Sequence, residues 1–211
     1  MIENKKNKNQ KIDRKNEANY LQSYCAYLNA QENDFDEYED RFLIDMIKPG
    51  NLKLSEGQGV PDGIILDKKT FLKEFIELTF IGRTLDDLKF LGDLQKNPQK
   101  YEGRRFIFPP KSPFLSIQQT FLNGLSKKSS KLYLSAAKIL GAQEKGTLLI
   151  ILRNSDPFHD EDELTDLLSF ITDKFLLEST GLFNSSFKRL VFGSMPLPEN
   201  KLVFSEIWRE N

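Results

Sequence analysis

Along the first half of the chain the apolar spacing changes from helical to alternating. Tyr20, Tyr24, Tyr27 and Leu28 recur at spacings of three and four, which predicts a helix over residues 17–29. Asp34 is a suitable N-cap for a second helix over 35–47. Its stripe is Phe35, Tyr38, Phe42 and Met46, joined by Leu43 and Ile47, and Pro49-Gly50 stops it. Leu52 and Leu54 offer a short strand. The period then becomes two, with strands over 60–66 and 71–81 joined by the turn Asp67-Lys68-Lys69-Thr70. In the second strand Phe71, Lys73, Phe75, Glu77 and Thr79 share one face, and Leu72, Glu74, Ile76, Leu78 and Phe80 the other.

Farther on, residues 84–95 read as a short helix. An irregular Pro- and Gly-bearing stretch follows, with a strand over 105–108. Residues 114–140 read as one long helix with Gly124 a soft point and Gly141 the stop. The run TLLIIL over 147–152 predicts a buried strand, 160–178 an acidic-started helix, and 187–192 and 202–204 two more strands. Such an order predicts an α/β fold, a three-layer sandwich with a central mixed sheet flanked by helices.

Composition narrows the picture. A length of 211 residues suits one domain, and 39% hydrophobic residues with 17 Phe supply a core filled by rings. Residues 1–16 carry Lys5, Lys6, Lys8, Lys11, Arg14 and Lys15 against Glu3 and Asp13. They read as a disordered basic tail before a single domain over 17–211. The sole cysteine, Cys25, excludes an internal disulfide and a cysteine-based zinc cluster, and points to a reducing cytoplasm. The sole histidine, His159, excludes a His-rich metal site. Any metal would then be a hard cation, Mg2+ or Mn2+, held by carboxylates. No apolar run approaches the ~20 residues of a membrane span. The opening residues lack the apolar region of a signal peptide. A net charge of −1 argues against avid, sequence-blind binding to nucleic acid.

Two carboxylates carry the chemistry. Asp62 follows Pro61 at the start of one strand, and Glu77 lies in its partner. With the turn at 67–70, Asp62 falls opposite about Phe75, one or two rungs from Glu77. Neighbouring carboxylates repel and raise each other's pKa, and a divalent cation resolves the conflict. Pro61-Asp62 followed by Glu77-Leu78-Thr79 in the apolar strand FIELTF resembles the PD-(D/E)XK nuclease superfamily, and the element order over 34–152 matches that family's core. The resemblance implies a restriction-endonuclease-like fold and Mg-dependent hydrolysis of phosphodiester bonds in DNA, with Asp62 and Glu77 as metal ligands. It also leaves room for a homodimer. The family's lysine, two residues after the second acid, is here Thr79.

A substitute lysine is therefore expected. Lys128 interrupts the apolar stripe Ile117, Phe121, Leu125, Leu132, Ala136 and Ile139 of the long helix, and an ammonium facing a sheet needs a carboxylate partner. Lys131 is the second candidate and Lys73, on the face of Glu77, the third. The resemblance implies a further acid from the first core helix, and Glu39 fits beside its stripe. In this expectation Lys128 orients the attacking water and Glu39 reaches the same ion. Asp160–Glu163 and His159 read as a helix entry, Trp208 as a packing anchor, and Arg104-Arg105 and Lys127-Lys128 as solvated basic pairs. The alternatives are an inactive DNA- or protein-binding module of the same fold, or an unrelated α/β immunity or regulatory protein.

Overall fold

The computed structural model describes residues 17–31, 40–48, 50, 52, 54, 57–82, 93, 96–101, 113–152, 161–182, 185–194 and 202–210. Helix α1 covers 17–31. It is followed by β1 (Phe42–Met46), β2 (Gly63–Asp67) and β3 (Lys73–Ile81), a 3-10 turn (Pro98–Tyr101), α2 (Pro113–Ser129), α3 (Leu134–Leu140) and β4 (Gly146–Leu152). Helices α4 (Glu161–Ile171) and α5 (Lys174–Ser179) precede β5 (Phe187–Ser194) and β6 (Val203–Arg209). The strands form one open mixed sheet in chain order, β1 to β6. Its central pairs β3–β4 and β4–β5 are parallel and its outer pairs antiparallel. This is an α/β fold.

Each face of the sheet buries its own cluster. Phe75, Leu148, Ile150, Leu190 and Phe192 pack with α2 to α5 through Phe121, Leu125, Leu167 and Leu177. Ile76, Leu78, Leu149, Ile151 and Val191 pack on the other face with Leu21 and Tyr24 of α1. β4 is buried along its whole length, which is why its sequence is continuously apolar rather than alternating. Trp208 packs against the first cluster, as its reading as an anchor requires. Among the described residues no helix is long and apolar enough to cross a membrane.

Several sequence expectations need correction. The helix over 35–47 does not hold over its second half, because Phe42–Met46 is strand β1. Phe42 and Ile44 fit a period of two as well as the helical stripe, and they turn toward α1. Asn29 of α1 decides the matter: its amide accepts from Phe42 N (2.7 Å) and donates to Phe42 O (3.0 Å), taking the place of a neighbouring strand. Glu39, expected on that helix, lies outside the described residues. So do Arg104, Arg105, His159, Asp160, the strand over 105–108 and most of the helix over 84–95. Leu52 and Leu54 join no strand.

The long helix over 114–140 is two helices, and the break falls at 130–133 rather than at Gly124. Gly59 N donates to Leu132 O (2.8 Å), Gln58 bridges Leu132, and the Tyr133 ring is fully buried. This docking outweighs continued helix. It also interrupts the stripe after Lys128, since Leu132 and Ile139 are exposed while Ala136 stays buried. Gly141 closes α3 in the left-handed conformation, as expected of a C-cap glycine. The helix over 160–178 divides where Asp173 leaves helical geometry and its carboxylate accepts from Leu176 N, capping α5. The last strand runs on to Arg209, so β5 and β6 extend the sheet well beyond residue 152.

Candidate functional site

The hairpin β2–β3 sets the two carboxylates side by side. Gly63 pairs with Ile76, yet Asp62 N also donates to Ile76 O (3.0 Å), so two residues lie against one and the ladder steps irregularly. Phe75 pairs with Ile64 rather than facing Asp62, because β3 starts at Lys73 and not at Phe71; Asp62 therefore sits one residue from Glu77, nearer than the register drawn from a tight turn at 67–70. Its main chain is clamped on the other side as well, since Asp62 O accepts from Ile47 N beside β1. The carboxylate then accepts from Leu78 N (2.7 Å), which fixes its direction along β3.

Helix α2 runs antiparallel to β3 on the face that carries Glu77, and it supplies the lysine. Thr120 Oγ1 bonds Gly82 at one end. Gly124 lies over Thr79, so close that a Cβ there would come within 3.3 Å of Thr79 Oγ1. One turn later Lys128 donates to Glu77 Oε1. Four helical residues rise about 6 Å and two strand residues about 6.6 Å, so helix turn and strand step stay matched. Thr79 is thus covered by helix backbone and leaves no space for a long cation. The neighbouring turn of the same helix brings the ammonium in from above.

A second cation and an aromatic close the cluster. Lys131, in the turn after α2, holds its Nζ 3.8 Å from Glu77 Oε1. The Tyr133 ring is wedged between Phe75 (5.2 Å), Phe187 (5.6 Å) and Gly59. Its buried hydroxyl lies against Glu77, close enough to act on that carboxylate, though without ideal hydrogen-bond geometry to the equally buried Oε2. Sequence reasoning missed Tyr133. Its signal was an aromatic directly after the KKSSKL run, but only the break in the helix turns it inward.

Electrostatics follow from burial. Glu77 is 2% exposed; loss of water raises its pKa, the charge of Asp62 raises it further, and Lys128 and Tyr133 offset part of this. Asp62 is likewise raised by burial, against the Leu78 N–H and the two lysines. Tyr133 is held protonated, by burial first and by Glu77 second. The cluster contains two carboxylates and two ammonium groups, a balanced set.

Of the sequence candidates, the structure therefore unites Asp62, Glu77, Lys128 and Lys131. Lys73 does not join them; it is exposed at the start of β3. Among the described residues no third carboxylate, histidine or cysteine completes a metal-ligating group. The two carboxylates are the donor type a hard divalent cation takes: they are adjacent, and burial raises both their pKa values. On the opposite sheet face a groove of about 410 Å3 is lined by the pairs Arg41–Asp67, Lys188–Glu74 and Arg189–Glu206, each cation already matched by a carboxylate.

Fold and site together define a mixed-sheet α/β protein with a buried carboxylate–lysine cluster at its central hairpin. No family model, curated protein or solved structure matches the chain.

Proposed function

We propose that the chain is a metal-dependent nuclease of the restriction-endonuclease-like kind that hydrolyses phosphodiester bonds in DNA. The observation that carries this reading is the convergence on one spot of Asp62, Glu77 and the ammonium of Lys128, which lies 51 residues from Glu77 along the chain. Asp62 and Glu77 would hold Mg2+ or Mn2+. When bound, such a cation supplies Lewis acidity toward phosphate and water. Asp62 is oriented by Leu78 N, so its carboxylate is preset rather than ordered on binding. Lys128 opposes the burial and the Asp62 charge that raise the pKa of Glu77. The Phe75 and Tyr133 rings exclude water from behind the carboxylates.

Plasmid and linear DNA incubated with Mg2+ or Mn2+ should be cut by the wild type and not by Asp62→Asn or Glu77→Gln. Cleavage that survives both substitutions would remove the assignment. A cation at ten times its Kd stabilises the fold by about 1.4 kcal/mol, about 3 °C in a chain of this size, and the same variants should lose that shift. The balanced charges of the cluster and Thr79 at the usual lysine position favour a second reading, an inactive module of the same fold. DNA binding without cleavage, and without a metal-dependent shift, is its signature.

A further inference from the structure

We propose that the two lysines divide the work: Lys128 stays on Glu77, and Lys131 is the exchangeable ammonium that takes a phosphate of the DNA backbone. This rests on the nuclease-type reading of the site and assigns the substrate contact within it.

The two ammonium groups address the same oxygen, Glu77 Oε1, in different ways. Lys128 projects from the last turn of α2, donates a hydrogen bond, and its side chain is 17% exposed. Glu77 is almost wholly buried, so withdrawing Lys128 strands a carboxylate with no water to replace the lost donor. That ammonium is committed. Lys131 lies beyond the helix, with its backbone N–H held by Lys128 O (3.1 Å). At 3.8 Å its ammonium is too far for a hydrogen bond, and its side chain is 38% exposed. Water already solvates it, so moving to another anion breaks no short contact.

Geometry sets where that anion lies. Lys131 is the more exposed of the two ammonium groups, while the Phe75 and Tyr133 rings beside the cluster are fully buried. An anion approaching Asp62 and Glu77 therefore meets Lys131 first. A phosphodiester suits it, because its oxygens accept from an ammonium at any orientation and Lys acts as a point charge. Tyr133, two residues on and fixed by its ring contacts, anchors the turn that carries Lys131.

Fluorescence anisotropy of a labelled DNA duplex, in EDTA and over a series of salt concentrations, tests this without any metal or cleavage. Each phosphate neutralised contributes about 0.9 to the slope of log K against log salt. Lys131→Met should lower the slope by about 0.9 and weaken binding several-fold at moderate salt, with a smaller drop in melting temperature than Lys128→Met. Lys131→Arg should restore the slope. The double variant Lys128→Met/Glu77→Gln, which leaves no stranded charge, should keep the wild-type slope. A wild-type slope in Lys131→Met, or a lowered slope in the double variant, would overturn the division of roles and leave the nuclease reading standing. A wild type that fails to bind the duplex in EDTA would refute the role of Lys131, while cleavage with Mg2+ or Mn2+ decides the nuclease reading separately.

Discussion

Replacing Lys128 by methionine keeps the length and apolar stem of the side chain and deletes only the ammonium. The consequence is set by Glu77, which is 2% exposed and would lose its hydrogen-bonded cation. An uncompensated buried carboxylate takes up a proton, and this bounds the loss. From the ordinary glutamate value of 4.5 up to pH 7, neutralisation costs at most about 3.5 kcal/mol, at roughly 1.4 kcal/mol per pH unit. Burial and Asp62 already raise the wild-type pKa, and Lys131 can close from 3.8 Å, so the expected loss at pH 7 is about 2 kcal/mol. The sign follows from linkage. Losing Lys128 raises the folded-state pKa of Glu77 further above its unfolded value. The added penalty is absent where Glu77 is protonated in both proteins and grows as pH rises through the gap between the two folded pKa values. Urea unfolding at pH 5, 6, 7 and 8 reads this directly, with a difference under about 1 kcal/mol at pH 5. Adding Glu77→Gln should recover most of the loss, since removing both charges leaves nothing stranded. A loss independent of pH, or a double variant no more stable than the single one, would refute the reasoning.

Two further outcomes follow from the packing and charge around the sheet. Gly146→Ala places a Cβ 2.3 Å from Phe75 O and 2.6 Å from its ring, and a backbone oxygen in a parallel ladder cannot yield. The variant should lose about 3 kcal/mol or more in urea melts, and a loss below about 1 kcal/mol would contradict that contact. Arg41 holds Asp67 through two hydrogen bonds (3.0 and 2.8 Å) and keeps its carboxyl well below the ordinary 3.8. Its folded pKa is depressed, so the stability it contributes is present above pH 3.8 and lost as pH falls below it. Arg41→Met should therefore lose about 1 kcal/mol at pH 7, and acid titration followed by circular dichroism should show that difference shrinking below pH 3.8.

Much of the framework was legible in local pattern. Helix 17–29, the hairpin turn at 67–70, the buried run 147–152 and the glycine stop at 141 depend on short-range periodicity and turn chemistry, which residues a few positions apart determine. That Asp62 and Glu77 lie on neighbouring strands was readable for the same reason, but the register was not, since the connection runs on through Leu72 and moves Asp62 from Phe75 toward Glu77. Lys128 was legible as a charge that breaks an apolar stripe. What the sequence could not settle involved a choice between two satisfied patterns. Phe42, Ile44 and Met46 suit a helix stripe or a strand, and the amide of Asn29, 13 residues away, selects the strand. The helix over 114–140 could have continued, but Gly59 and Tyr133 meet only in the folded chain and break it at 130–133. That break separates the committed Lys128 from the half-buried Lys131. Tertiary contacts alone decide it, because the docking of one turn on a distant loop outweighs the small propensity of a few residues to stay helical.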